Sequence, residues 1–99
     1  MRKPTDGASE LAHALNAERA ATMGKLGRTV ERTLAAFRRF EQGRDRDART
    51  TAAYACAEAV WHYFVQRETM GLVDHTAVIE HYRIPDAVLA KVGARQEGR

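Results

Sequence analysis

Apolar and small residues recur along the first 40 positions with the spacing of one helical face, and this feature limits the possible folds most. At 100° per residue they gather on one side of a helix. From Met23 onward the steps alternate between three and four residues, as in a coiled-coil seam. The face comprises Ala8, Ala12, Leu15, Thr22, Met23, Leu26, Val30, Leu34, Phe37 and Phe40. Because one phase holds throughout, the pattern predicts a single helix of about 30 residues.

Gly24 and Gly27 interrupt this helix, and each costs about 1 kcal/mol relative to alanine. Both are predicted to project away from the apolar face, and the phase of that face does not shift across them. We therefore expect one helix, straight or kinked at the glycines, rather than two. Thr5, Asp6 or Ser9 can cap its start, and Gly43 with the charged run RDRDAR ends it.

A second helix is predicted over TTAAYACAEAVWHYFVQRETM, with Asp45 or Asp47 as its cap and Gly71 after its end. Its apolar arc is unusually wide and takes in Ala53, Tyr54, Cys56, Ala57, Val60, Trp61, Tyr63 and Phe64. The clear polar strip consists of Thr51, Glu58, His62, Gln66 and Thr69. A helix that is apolar around more than half its circumference needs cover on two sides, so we expect it to be central.

The segment HTAVIEHYRIPDAVLAKVG, residues 75–93, predicts two short helices that meet at Ile84 and Pro85. Asp74 caps the first, and the second runs over DAVLAKVGA, residues 86–94. A helix-turn-helix would place apolar residues at Val78, Ile79, Tyr82, Ile84, Val88, Leu89 and Val92, as found here. However, Ile79 stands where that motif has a small residue, and Arg83 where it has glycine. The second helix also begins with an acid, Asp86, which is a poor start for contacting DNA. We expect a helical corner packed on the central helix, with a degenerate helix-turn-helix at 75–93 as the alternative.

The run FVQRETMGLVDHTAVIEHYRIPDAVLAKVG, residues 64–93, resembles a family of small uncharacterised bacterial proteins found in alphaproteobacteria. In that family the pattern VQRE..GL.D...VI..Y.IP..VLA..G follows a long helix rich in alanine and arginine. The resemblance is close over about a third of the chain and loose elsewhere. It implies an all-helical fold and carries no assigned activity or site residue.

Length and composition favour a single all-α domain over residues 1–99, with 1–7 and 95–99 frayed. The single cysteine excludes an intrachain disulfide, and the start MRKPTDGAS lacks the apolar segment of a secretory signal. No apolar run approaches the roughly 20 residues that cross a bilayer. These features predict a cytoplasmic protein without a membrane-spanning segment.

Net charge is +3, and the excess lies in the first half, at +4 for residues 1–50 against −1 for residues 51–99. A basic ridge, comprising Lys25, Arg28, Arg32 and Arg39, projects from the first helix opposite its apolar face. Such a ridge could contact the phosphates of a nucleic acid. Its alternative interpretation is a solvated face. Acids interrupt the ridge and no aromatic residues interleave with it, so we favour the solvated face.

Residues that could carry chemistry are few. Glu10 and His13, Glu58 and His62, and His75 and His81 fall short of the ligand set of a helical metal site. Cys56 lies among alanines on the apolar arc, where a buried thiol is expected. Ser9, the only serine, belongs to a helix cap, and no glycine-rich phosphate loop follows a strand. The sequence predicts no enzyme, no cofactor and no metal.

A long amphipathic helix on so small a body leaves more apolar surface than one chain covers. We expect a homodimer whose bundle, partly within and partly between chains, uses the seam residues Met23, Leu26, Val30, Leu34, Phe37 and Phe40. Arg19 and Arg67 fall on apolar faces, so each needs a carboxylate, a helix C-terminus or an exit to solvent. The candidate carboxylate partners are Glu18, Glu41, Glu68 and Asp74. The leading hypothesis is a non-enzymatic interaction or structural module, and a small nucleic-acid-associated protein is the alternative.

Overall fold

The computed structural model describes residues 6–94 as four helices, with no strand in that range. They are α1 (Asp6–Glu41), α2 (Arg46–Thr69), α3 (Thr76–Tyr82) and α4 (Asp86–Leu89). The predicted all-α fold, with a long first helix, a central second helix and two short ones after it, is confirmed. Residues 1–5 and 95–99, with the candidate cap Thr5 and most of the predicted frayed ends, lie outside the described part. Gly7, also predicted to be frayed, is helical.

Helix α1 is continuous over 36 residues, about 54 Å at 1.5 Å per residue. Gly24 and Gly27 do not break it, as predicted. The prediction that both glycines project away from the apolar face is wrong for Gly27, which is buried against α2 and α3 residues. A Cβ there would lie 2.9 Å from Tyr82 Oη and 3.5 Å from a ring carbon of Tyr63. The missing side chain lets these two tyrosines approach α1.

A short turn reverses the chain so that α2 packs on the second half of α1. The Asp45 carboxylate caps α2 by accepting a hydrogen bond from the Ala48 N–H at 3.0 Å, which confirms it as the cap. The Arg49 guanidinium donates to the Gly43 carbonyl at 3.0 Å and closes the turn. Most of the buried core lies on these two helices: Val30, Leu34, Phe37, Ala52, Ala53, Cys56, Ala57, Ala59 and Val60.

Helix α2 is covered on two sides, by α1 and by α4, as its wide apolar arc predicted. Four alanines and Cys56 are among its buried residues, and such small side chains let the helix backbones approach closely. Gly71, at φ 84°, ends the helix in the left-handed conformation, while the Leu72 N–H donates to the Arg67 carbonyl at 3.0 Å. One assignment is wrong: Trp61, placed on the apolar arc, lies at its edge and is 42% exposed.

Helices α3 and α4 form a corner over α2 that buries Val78, Ile84 and Val88. Arg83 ends α3 at φ 53°, the left-handed conformation that glycine adopts more easily, and the Ile84 N–H donates to the Ile79 carbonyl at 3.1 Å. An Arg38 nitrogen on α1 donates to the Tyr82 carbonyl at 3.3 Å and to the Arg83 carbonyl at 3.2 Å. This cation therefore satisfies the carbonyl end of α3 and ties it to α1.

The predicted second helix of this corner, over residues 86–94, is too long. Helix α4 ends at Leu89, and the chain continues in turns whose N–H groups bond three residues back, from Lys91 to Val88 and from Ala94 to Lys91. Gly93, at φ 81°, is incompatible with a continuing helix. A single helical turn is too short to serve as the recognition helix of a helix-turn-helix, so the structure argues against that alternative.

The first half of α1 extends beyond the other helices. Every residue from Gly7 to Thr22 is exposed, whereas burial begins at Met23. This extension makes the molecule elongated, with dimensions of 70 × 26 × 20 Å. The radius of gyration of the molecule is 17.7 Å, against about 13 Å for a compact chain of this length. We call residues 6–22 the arm and residues 23–41 the stem of α1.

Candidate interaction surface on the long helix

Helix α1 carries a second apolar stripe that the described chain leaves largely uncovered. At 100° per residue, Leu11, Leu15, Leu26 and Phe40 fall within an arc of about 60°, beside the core face rather than on it. Leu11 is 61%, Leu15 41% and Phe40 40% exposed, and Leu26 is half-buried. We call these four residues the outer stripe. It runs along both arm and stem and so extends well past the part of α1 that α2 covers.

Threonines between the large side chains make this surface more apolar than composition suggests. The Thr33 hydroxyl donates to the Thr29 carbonyl at 2.8 Å and lies 3.1 Å from the Val30 carbonyl. The Thr29 hydroxyl donates to the Lys25 carbonyl at 3.1 Å. Because both hydroxyls bond their own helix, a molecule docking here does not have to satisfy them. Both residues lie within the arc of the outer stripe, between Leu26 and Phe40.

The predicted seam divides between two surfaces. Val30, Leu34 and Phe37 are buried within the chain, against α2. Leu26 and Phe40 belong to the outer stripe, and Met23 is half-buried near the end of α2. The seam was assigned from one averaged phase, which did not include Leu11. Leu11 lies four residues before Leu15, and this spacing is the signal in the sequence that places the two leucines on one helical face.

A shallow depression of about 540 Å³ lies where the arm meets the end of α2. It is lined by Asn16, Arg19, Ala20, Met23, Thr69 and Met70. Arg19, which was expected to need a carboxylate, is exposed here and forms no ion pair with a described residue. The predicted alternative, an exit to solvent, accounts for it. Met70 and Met23 give the depression an apolar floor next to the arm.

Charge is distributed unevenly along α1. The arm has three acidic residues and one basic residue, a formal charge of −2, and the stem has five basic and two acidic residues, a formal charge of +3. All four residues of the predicted basic ridge, Lys25, Arg28, Arg32 and Arg39, are exposed on the stem. Within the described chain their side chains form no hydrogen bond or ion pair. They are therefore available to an anionic surface.

A second concave surface, a groove of about 470 Å³, lies between α2 and the C-terminal turns. It is lined by Thr51, Tyr54, Ala55, Glu58, Trp61, His62, Gly93 and Ala94. Lys91 lies over the Tyr54 ring at 5.5 Å, and Glu58 is 3.6 Å from His62 Nε2. Sequence reasoning assigned Glu58 and His62 to an exposed polar strip, which is where they lie. The sequence does not indicate the groove, because its pattern places Trp61 on the apolar arc of the second helix.

A network of hydrogen bonds between partly buried and exposed groups joins the end of α2 to the start of α3. Arg67 Nε donates to His75 Nδ1 at 3.1 Å, so the ring proton lies on Nε2, which donates to Glu68 Oε2 at 2.9 Å. A second Arg67 nitrogen donates to the Asp74 carbonyl at 2.9 Å. The His75 ring stacks on Phe64 with centroids 4.1 Å apart. Arg67 therefore binds an imidazole and a carbonyl rather than one of the candidate carboxylates, and its role is structural.

Groups capable of catalysis or metal binding are sparse in the described chain. Cys56 is fully buried, and desolvation raises the pKa of its thiol, which disfavours the reactive thiolate. Among residues 6–94, no three His, Cys, Asp or Glu side chains come together as a metal site would require. None of the four helices has the length and apolar character needed to cross a lipid bilayer.

Comparison with known proteins places the chain in a family. The model of DUF6665, a family of unknown function, matches residues 1–99, and the chain belongs to that family. No curated protein and no solved structure matches it. The match covers the whole chain and agrees with the resemblance found over residues 64–93. It assigns no activity to any residue.

Proposed function

We propose that this member of DUF6665 is a non-enzymatic interaction module that acts as a homodimer in the bacterial cytoplasm, with the outer stripe of α1 as its contact surface. The observation that carries the proposal is the stripe itself. Leu11 and Leu15 project on an arm that touches little else, and Leu26 and Phe40 continue the stripe along the stem. Exposed apolar stripes of this length are typical of helices that pack against another chain.

The low stability expected for an unpacked helix also supports this role. An isolated helix is marginally stable in water unless an apolar face is packed. The arm extends for about four turns without such packing in the described chain. Packing against a second copy would stabilise it. The Cys56 thiol and the polar strip of α2 offer no arrangement of nucleophile and base, which is the support for a non-enzymatic role.

Sedimentation velocity on two matched arm variants tests the proposal. Leu15→Asp places a charge in the outer stripe, while Ala17→Asp places the same charge on the opposite, exposed face. We expect Leu15→Asp to sediment as one chain and Ala17→Asp to sediment as a dimer. Circular dichroism serves as the check that both stay helical. Equal behaviour of the two folded variants would contradict the assignment of the outer stripe as the contact.

A nucleic-acid role is the second candidate, and the specific observation that favours it is the exposed basic ridge without internal partners. Such a ridge would bind phosphates without reading sequence, and binding would weaken steeply as salt rises. A gel-shift titration with random duplex DNA at several salt concentrations distinguishes the two functions. Binding at low salt that is lost in Lys25→Glu with Arg28→Glu would support this candidate. No binding at low salt removes it.

A further inference from the structure

Residues in the arc of the outer stripe are arranged in pairs about the middle of α1. Leu15 and Thr33 lie nine positions on either side of Gly24, Thr22 and Leu26 two positions, and Ala8 and Phe40 sixteen positions. All six fall in the same arc of the helix. A twofold axis near Gly24 and perpendicular to α1 would therefore place each of these arm residues opposite a stem residue of a second copy.

The charges of α1 match the same arrangement. The arm carries −2 and the stem +3, so an antiparallel pair sets each acidic arm beside the basic stem of its partner. A parallel pair would instead place arm beside arm and stem beside stem, with like charges together along its whole length. The charge distribution therefore distinguishes between two geometries that the apolar stripe alone would allow.

We propose that two copies associate antiparallel through α1, the arm of each chain docking on the outer stripe of the other chain's stem. This inference rests on the proposed self-association and specifies its geometry. The receiving surface consists of Leu26, Thr29, Thr33 and Phe40, whose threonine hydroxyls are already bonded within α1. The arrangement covers the arm and the exposed Phe40 together. Arms that paired only with each other would leave Phe40 in water.

One ion pair between chains follows from this geometry. Glu18 and Arg32 are exposed and lie within about 40° of each other around the axis of α1, on the same flank of the outer stripe. Equivalent flanks face each other across a perpendicular twofold axis. With that axis at Gly24, position 18 faces position 30, so the partner's Arg32 lies about 3 Å further along the helix. Its guanidinium can reach the Glu18 carboxylate.

Cysteine cross-linking tests the orientation. In the double variant Leu15→Cys with Thr33→Cys, each cysteine of one chain faces the other kind in its partner, so air oxidation should give a covalent dimer. Either single variant should stay uncrosslinked, because identical positions lie roughly 27 Å apart along the axis. Because the Cys56 thiol lies within hydrogen-bonding reach of the Thr33 side chain, every variant carries Cys56→Ala, and the Cys56→Ala chain is the control. Efficient cross-linking of Leu15→Cys alone would overturn the antiparallel register.

Charge reversal provides an independent test. Glu18→Arg and Arg32→Glu should each weaken dimerisation about threefold to tenfold, and combining them should restore it, since two symmetric pairs change together. Arg28, which is exposed but turned further from the stripe, supplies the control: Arg28→Glu should not rescue Glu18→Arg. Additive losses in the Glu18→Arg, Arg32→Glu double variant would contradict the ion pair. If the wild type sediments as a single chain, the self-association itself fails; a dimer that cross-links through single cysteines refutes only the orientation.

Discussion

Arg38 shows how one side chain connects elements that are distant in sequence. Its guanidinium donates to the carbonyl of Tyr82, the last residue of α3, and to that of Arg83 just after it, where carbonyls lack partners within the helix. Arg39, its neighbour, belongs to the exposed ridge and makes no such bond within the described chain. The two adjacent arginines therefore differ in what they contribute to stability.

Substituting each arginine by alanine measures that difference. We expect Arg38→Ala to lower the free energy of unfolding by about 1 kcal/mol, because two exposed hydrogen bonds to carbonyls are lost. Arg39→Ala should change it by less than about 0.5 kcal/mol, as is usual for a surface substitution. Urea unfolding followed by circular dichroism gives both values. Equal losses for the two variants would show that the Arg38 contact contributes nothing to stability.

Asp74 gives the fold a defined response to acid. Its carboxylate accepts a hydrogen bond from the Thr76 N–H at 3.0 Å and another from the Thr76 hydroxyl at 2.7 Å, and these bonds lower the pKa of Asp74 below its ordinary value of 3.8. A lowered pKa means that the stabilisation is fully present above pH 3.8 and is lost as the pH falls through the lower folded value. Acidification should therefore loosen the start of α3.

Carbon-detected NMR of the Asp74 carboxyl tests this expectation. The wild-type group should titrate below 3.8, and Thr76→Val should move its pKa upward part of the way, since the backbone N–H bond stays and the hydroxyl bond is lost. A wild-type Asp74 that titrates at 3.8 or above would contradict the hydrogen-bonding scheme.

At the scale of an element, the two glycines of α1 allow the effect of helix propensity on stability to be distinguished from the effect of packing, because their surroundings differ. A Cβ at Gly24 would meet only the end of the flexible Arg28 side chain, at 3.3 Å. A Cβ at Gly27 would meet the Tyr82 hydroxyl at 2.9 Å, and that tyrosine ring is packed against the edge of the Tyr63 ring. The helix gains the same propensity from alanine at either place, so only packing distinguishes the two sites.

Gly24→Ala should therefore stabilise the protein by about 1 kcal/mol, or about 4–8 °C in thermal midpoint. Gly27→Ala should be neutral or destabilising, because displacing Tyr82 costs about 1–3 kcal/mol and offsets the gain. Differential scanning calorimetry of the two variants beside the wild type measures both shifts. An equal rise for both would show that Tyr82 moves freely and that Gly27 is not required by packing.

Local patterns were enough to predict most of the elements. Helix α1 and its continuity followed from the phase of its apolar face, the start of α2 from Asp45, and its end from Gly71. The end of α4 did not follow, because the turns after Leu89 depend on contacts such as that of Lys91 with Tyr54 across the fold. Contacts of this kind join residues far apart in sequence, and single-chain periodicity carries no information about them.

The interaction surface was less predictable than the fold. An averaged helical phase merged two stripes of α1, so Val30 and Leu26 were assigned to one seam although the first packs inside the chain and the second faces outward. Which of these residues is buried within the chain depends on where α2 packs on α1, and the sequence of α1 alone does not give that position. The same long-range information was needed for Gly27, for the exposure of Trp61 and for the network around His75.

At the scale of the whole molecule, the account depends on α1 being too long and too apolar for one chain to cover. The core closes around α2 with Val30, Val60 and Val88 almost completely buried, while the arm and the outer stripe stay in contact with solvent. Burying large apolar side chains such as leucine and phenylalanine stabilises a protein by about 1.5–3 kcal/mol each. Covering the exposed part of the stripe on two chains therefore favours association.

Small-angle X-ray scattering of the wild-type protein, over a range of concentrations, tests this central claim most directly. Forward scattering gives the mass of the particle and the low-angle slope gives its radius of gyration. We predict twice the chain mass of 11.1 kDa, the result expected if a second copy covers the outer stripe. A folded particle of one chain mass, with a radius of gyration near 17.7 Å at every concentration, would contradict the account.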